Sequence, residues 1–143
     1  RTEQWHALAV LYGNLSLVLR KGEEYETSLI FAERSITLAK KLQENRLIAD
    51  ATARLAKAKE CMGDIKDAQK HSAVALTLYS KLGDEMGCAA ALYHQAALYE
   101  QTGDLENAIV RLKQVVAIDE KYQLPKLEKN KQRLKKLEEK RGI

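Results

Sequence analysis

Proline is almost missing from this chain of 143 residues, which holds one, and glycine is sparse, with seven. Inside a helix Pro costs about 3 kcal/mol and Gly about 1 kcal/mol relative to Ala, so this scarcity leaves long stretches open to helix. Long hydrophobic runs are lacking too. None is longer than the six residues from Cys88 to Tyr93, against the ~20 apolar residues of a membrane-spanning helix. No secretory signal stands at the start. Cysteine is limited to Cys61 and Cys88, too little for a disulfide framework. The chain opens at Arg1 rather than Met, so a fragment of a longer protein is expected.

What is present fits a globular protein. Charged residues make up 31% and apolar ones 45%, enough to bury a continuous core and keep a polar surface. One domain over residues 1–143 is expected. The net charge of +4 hides an asymmetry: residues 121–143 carry +6 and residues 1–120 carry −2.

An internal repeat organises the chain. Gly63-Asp64 returns as Gly103-Asp104, and the same step of 40 residues backwards reaches Glu23, beside Gly22. Lys41-Leu42-Gln43 returns as Lys81-Leu82-Gly83 and more loosely as Lys121-Tyr122-Gln123. Small residues keep the register: Ser16, Ala56 and Ala96, then Ser28, Ala68 and Ala108. Ser35, Ala75 and Val115 also align, as do Leu38, Leu78 and Ile118. Recurrent small side chains at fixed helical positions call for close helix contacts in every unit.

Each unit reads as two amphipathic helices. The expected spans are 3–21 and 24–43, 45–62 and 65–82, then 85–102 and 105–122. The repeats are 3–43, 44–83 and 84–123. Gly-Asp makes the turn inside the second and third units, Gly accepting left-handed angles and Asp capping the next helix. Gly83-Asp84 does the same between those units. Pro125 ends the sixth helix and opens a seventh over about 125–141, whose Leu124, Leu127, Leu134 and Leu137 cap the stack. Cys61 and Cys88 lie at opposite ends of equivalent helices ~25 Å long. Buried or semi-buried free thiols in a reducing cytoplasm are expected from that separation.

These residues resemble the tetratricopeptide repeat, whose pattern runs W-x2-L-G-x2-Y, then A-x3-F, then A and P. The third unit carries Leu92-x2-Gln95-Ala96-x2-Tyr99, Gly103-Asp104, Ala108-x3-Leu112 and Val115. The second carries Leu55-Ala56, Gly63-Asp64, Ala68 and Ala75. The first carries Tyr12-x2-Leu15-Ser16-x2-Leu19, then Ser28-x3-Ala32 and Ser35. The resemblance covers residues 9–122. Its period of 40 exceeds the usual 34 and is similar to the extended repeats of kinesin light chain, Pins-type adaptors and bacterial multidomain signalling ATPase tails. Lys59 stands where the pattern has a large apolar residue, and its aliphatic stem can serve there.

The resemblance implies an all-α, right-handed α-solenoid of three such units with a C-terminal capping helix, about seven helices in all. It also implies a groove lined by the first helix of each unit. In the 40-residue register Asn14, Arg54 and His94 form one row, and Leu17, Lys57 and Ala97 a second. Arg20, Glu60 and Glu100 form a third, with Lys21, Cys61 and Gln101 at the rim. Tyr93 and Tyr99 add aromatic surface. Amide, guanidinium and imidazole groups can bond the backbone or carboxylates of a peptide. The residues expected to bind a partner are therefore Asn14, Arg54, His94, Leu17, Lys57, Arg20 and Tyr93. The family's carboxylate clamp for chaperone tails maps to Gly13, Leu17, Arg54, Ala90 and His94, where only Arg54 has a suitable charge, so no clamp of that kind is expected.

Chemistry finds little footing. His6, His71 and His94 lie in different helices with no Cys or His at metal-ligand spacing. Neither a Gly-rich phosphate loop nor a nucleophile elbow occurs. No catalytic residue, metal or cofactor is expected. The basic seventh helix lacks interleaved aromatics, which weighs against nucleic acid. The sequence thus points to a cytoplasmic, monomeric, non-catalytic scaffold or adaptor. Its ligand is a peptide or helix of another protein, with no small-molecule substrate and no membrane. The alternative is a regulatory or sensor segment of a larger signalling protein such as a multidomain ATPase. Self-association, or nucleic-acid contact through the last helix, ranks below both.

Overall fold

The computed structural model describes residues 1–142. It is all-α, with seven helices and no strand among those residues: α1 (Thr2–Lys21), α2 (Tyr25–Leu42), α3 (Asn45–Cys61), α4 (Ile65–Leu82), α5 (Glu85–Gln101), α6 (Leu105–Tyr122) and α7 (Leu127–Lys140). Every expected span is recovered to within two residues at each end. The chain divides into two compact units, Arg1–Gly83 with α1 to α4 and the remainder from Asp84 with α5 to α7.

Turn chemistry sets the helix boundaries. Gly63 and Gly103 take φ of 84° and 81° between the two helices of their repeats, and Gly83 takes 69° before α5. Asp64, Asp84 and Asp104 follow them as N-caps, their carboxylates accepting from the backbone N–H of Asp67, Gly87 and Asn107. Each satisfies one of the donors that a helix start leaves open. The first repeat does this less well. Glu23, not Gly22, takes the left-handed angle there, with φ 65°, and Glu24 makes no side-chain cap. The expected start of the last helix needs correction. Leu124 to Lys126 form a turn in which Leu127 N–H donates to the Leu124 carbonyl at 3.1 Å, and α7 starts at Leu127. Pro125 has no N–H to give and sits before the helix rather than in it.

The recurrent small residues are the core. Ser16, Ala56 and Ala96 are buried, as are Ser28, Ala68 and Ala108, and Ser35, Ala75 and Val115. The serines of the first repeat are satisfied: Ser28 Oγ donates to the Ser16 carbonyl at 2.7 Å, and Ser35 Oγ to the Ala9 carbonyl at 2.8 Å. Ala, or Val115 in the third repeat, occupies the later positions and needs no partner. In the second unit α7 packs on α6. Leu137 is 3% exposed, and buried Asn130 donates to the Asp119 carboxylate at 2.8 Å. Arg141 reaches Glu106 at 3.1 Å. Cys61 and Cys88 are free thiols as expected, but Cys61 is exposed rather than buried or semi-buried, because it is the last residue of α3.

Candidate partner-binding face

Within the first unit the first helices of successive repeats, α1 and α3, lie side by side. They bring together two of the residues that the register placed in one row. Arg54 Nη2 donates to Asn14 Oδ1 at 3.4 Å, across the 40-residue step. Gly13 makes room for this. A Cβ built on it would stand 2.5 Å from Arg54 Nη1, so the guanidinium lies directly over the glycine. Asn14 and Lys57 are exposed, while Arg54, Leu17 and Arg20 are half-buried. Leu11 and Val18 are exposed on the same helix as Asn14, Val18 at 64%. The first unit thus shows a surface of apolar and cationic groups with an amide in its midst. It can hold apolar side chains and, through Arg54, donate a charge-assisted hydrogen bond to a carboxylate or carbonyl.

In the second unit the remaining expected residues are differently placed. His94 of α5 is 8% exposed and counts among the buried residues. Tyr93 is half-buried under α7: the Arg133 guanidinium carbon lies 5.3 Å from its ring centroid, and Arg133 Nη1 donates to the phenol oxygen at 3.2 Å. The other arm of Arg133 pairs with Glu100 at 2.7 Å. Tyr99 packs beneath Arg111, whose Nε also bonds Gln95 at 2.9 Å. Sequence reasoning missed Arg133, and it named Gly13 only as a clamp position, not as the seat of the Arg54 guanidinium. A signal existed for Arg133, which stands 40 residues after Tyr93 as Arg54 stands 40 after Asn14.

The other histidines are engaged elsewhere. His6 Nδ1 lies 2.6 Å from Glu44, and His71 Nε2 lies 3.5 Å from Asp67. Lys59 pairs with Asp67 at 3.0 Å. This hydrogen bond raises the Lys59 ammonium above its ordinary value and holds the Asp67 carboxyl below its own. Among the described residues no three His, Cys, Asp or Glu side chains gather where they could hold a metal ion. No helix among them is long and apolar enough to cross a membrane.

The family model of the tetratricopeptide repeat matches residues 47–121, just over half of the chain. The chain belongs to the tetratricopeptide repeat family. Tetratricopeptide repeats are typically non-catalytic modules of protein–protein interaction. No curated protein matches the sequence. Among solved structures, the tetratricopeptide domain of Arabidopsis FLU is similar, with a TM-score of 0.76 and 18% identity over 85% of this chain and 99% of that one. The nearly identical repeats of a kinesin-light-chain-type protein of Podosopora anserina align with a TM-score of 0.79 and 18% identity, over 93% of this chain and 66% of theirs. BtubC (BKLC) of P. vanneervenii aligns with a TM-score of 0.75 and 17% identity, over 95% of this chain and 65% of its own. Likeness at such low identity establishes the fold alone, which this chain shares with kinesin-light-chain-type repeats.

Proposed function

We propose that this tetratricopeptide chain is a non-catalytic adaptor that holds a peptide or helix of a partner protein on the α1–α3 face of its first unit. The observation that carries the reading is the Asn14–Arg54 contact over Gly13. It joins polar groups of two successive first helices into one recognition point flanked by exposed Leu11, Val18 and Lys57. In this reading Asn14 and Arg54 bond the ligand's backbone or a carboxylate. Leu17 gives apolar contact, and Arg20 and Lys57 favour an acidic neighbour. His94 offers a ligand little surface, and Tyr93 meets one only beside Arg133. A cytoplasmic setting belongs to the same reading and rests on the two free thiols.

The test is affinity capture followed by mass spectrometry, comparing the wild-type protein with an Asn14→Ala/Arg54→Ala/Lys57→Glu variant. Asn14 and Lys57 are exposed and Arg54 is half-buried, and none of the three belongs to the apolar core, so the variant should keep its helical circular dichroism. A partner held by wild type and lost by the variant supports the reading. One held equally by both places the site elsewhere, and none for either refutes an adaptor.

A further inference from the structure

The first unit leaves an apolar face of α1 and α2 with no helix against it. Trp5, 49% exposed, walls a cleft of about 530 Å³ together with Leu8, Tyr12 and Ile30. Glu33, Arg34, Thr37 and Lys41 of α2 form the rim. The internal repeat shows what such a face does when its neighbour is present. Forty residues on, Leu8, Tyr12 and Arg34 become Ile48, Thr52 and Val74. These line a cleft with Glu33, Ile36 and Lys40 of α2, which packs against α3. The second time the surface occurs, α2 packs on its α3 side, while Val74 of α4 stays exposed. The first time it is uncovered and carries bulkier anchors: Trp5 in place of Asn45, and Tyr12 in place of Thr52. Large aromatic side chains on an open apolar face are what protein interfaces enrich.

We infer that this face is covered by the same face of a second copy of the chain, the two copies related by a two-fold axis. Self-complementarity selects this occupant. The bonds from Ser28 to Ser16 and from Ser35 to Ala9 fix how α1 and α2 run past each other, and they set Leu8 level with Ile36 and Thr37. A two-fold axis crossing the face at that level lays α1 antiparallel on α1 and α2 antiparallel on α2. Glu33 and Lys41 stand four residues either side of Thr37. Each Glu33 then meets Lys41 of the second copy, twice over. Trp5, three residues before Leu8, meets the Leu11–Tyr12 stretch of the second copy. Arg34 is drawn aside over its own Phe31, 5.3 Å from the ring centroid, which leaves the centre of the face to apolar contact. Such a contact is isologous and closes on itself, so it ends at a dimer. One helix pair per copy makes a small interface, and a weak, concentration-dependent dimer follows. This departs from the monomer expected from sequence; it shares Leu11 with the α1–α3 face, but Trp5, Glu33 and Lys41 take no part in that face.

The test is sedimentation velocity on the 143-residue protein across a wide concentration range, read beside the fluorescence of Trp5, its only tryptophan. The mass should climb from 16.1 kDa towards twice that value, with a blue shift of Trp5 emission over the same range. Trp5→Asp should weaken the dimer by about thirtyfold or more, the loss of a central aromatic anchor. Glu33→Lys should weaken it, and adding Lys41→Glu should restore it. Trp5, Glu33 and Lys41 are exposed, so these variants keep the fold, which circular dichroism verifies. A mass fixed at 16.1 kDa throughout assigns the face to a different chain and overturns the inference. So does dimerisation untouched by Trp5→Asp. Failure of the charge swap to restore association overturns the two-fold arrangement.

Discussion

The outer side of the α1–α2 pair and the outer side of α7 are opposite answers to one question, how a helical repeat ends. Stacked repeats bury an apolar face against each neighbour, so a terminal face is left over unless something covers it. On α1 and α2 the leftover face stays apolar, with Trp5, Leu8, Tyr12 and Ile30 around an open cleft. In the second unit α7 turns Leu137 and Asn130 inward, while Lys129, Lys131, Lys135, Lys136 and Lys140 stay exposed. The local excess of positive charge in residues 121–143 is the water-facing side of a cap. The contrast teaches that one sequence can seal one repeat surface and leave another adhesive, and that charge and aromatic content distinguish the two.

Breaking the cap should give the largest effect. Leu137 is a fully buried side chain, so Leu137→Ala should cost roughly 2–5 kcal/mol by lost burial and a residual cavity. Deleting residues 124–143 should cost more and provoke aggregation, since it also strips Asn130 from the buried Asp119 carboxylate. At the uncapped face Trp5→Ala, on a half-exposed side chain, should cost about 1 kcal/mol or less in a dilute sample. Urea unfolding of the three variants checks the ranking. Equal losses at Leu137 and Trp5 would erase the distinction between sealed and open faces.

The turns sharpen the same contrast between the first repeat and the later ones. Glu23 holds a left-handed angle that costs a non-glycine residue about 1 kcal/mol, and Glu24 leaves the start of α2 without a side-chain cap. The later repeats place Gly63-Asp64 and Gly103-Asp104 there. Glu23→Gly with Glu24→Asp should therefore stabilise the protein by about 1–2 kcal/mol, from relieved strain and a new N-cap. The reverse graft, Gly63→Glu with Asp64→Glu, should destabilise it by a similar amount. Thermal melts of both variants decide the matter, and a neutral result for both would mean that turn identity contributes little here.

Most of the fold was legible because it rests on properties that are local along the chain. Gly-Asp pairs mark turns by backbone angle and cap chemistry, and the 40-residue recurrence of Ser16, Ala56 and Ala96 marks close contact without knowledge of what is contacted. The seventh helix was placed two residues early because Pro125 is accepted equally in the first turn of a helix and in the turn before it. The candidate face was legible only in part. Register correctly set Asn14 beside Arg54, since both lie on first helices of one unit. It could not foresee that the Arg54 guanidinium covers Gly13, that Arg133 covers Tyr93, or that His94 is buried. These depend on how far flexible side chains reach across a helix boundary, and periodicity fixes a direction without fixing a reach. The Asn130–Asp119 bond was missed for a related reason: polar residues on a cap helix read as solvated until a buried partner is seen.

The smallest expected effect is electrostatic, and it again separates capped from uncapped helix starts. Asp67 is held below its ordinary value of 3.8 chiefly by the hydrogen bond from Lys59. Asp104 is held low by Asn107 at the start of α6, and Glu85 by Tyr122 and Lys121. In each case the fold favours the charged carboxylate, so the stabilisation is fully present above the ordinary carboxylate range. It is lost as pH falls through the lowered folded value. Lys59 titrates in the opposite sense: its contribution is present below 10.5 and is lost as pH rises through its raised value. Stability should accordingly be flat between pH 6 and 8, as far as these groups govern it, and decline below about pH 4. Asp67→Asn should lower stability slightly at pH 7 and make the acid decline shallower, because its amide gains nothing from ionisation. The Glu24→Asp graft should do the reverse, adding a capping carboxylate to the first repeat and steepening the decline. Urea midpoints at pH 7 and pH 3.5 for wild type and both variants measure this. An acid decline unchanged by Asp67→Asn would show that the Lys59–Asp67 pair, with both side chains partly open to water, is screened to insignificance.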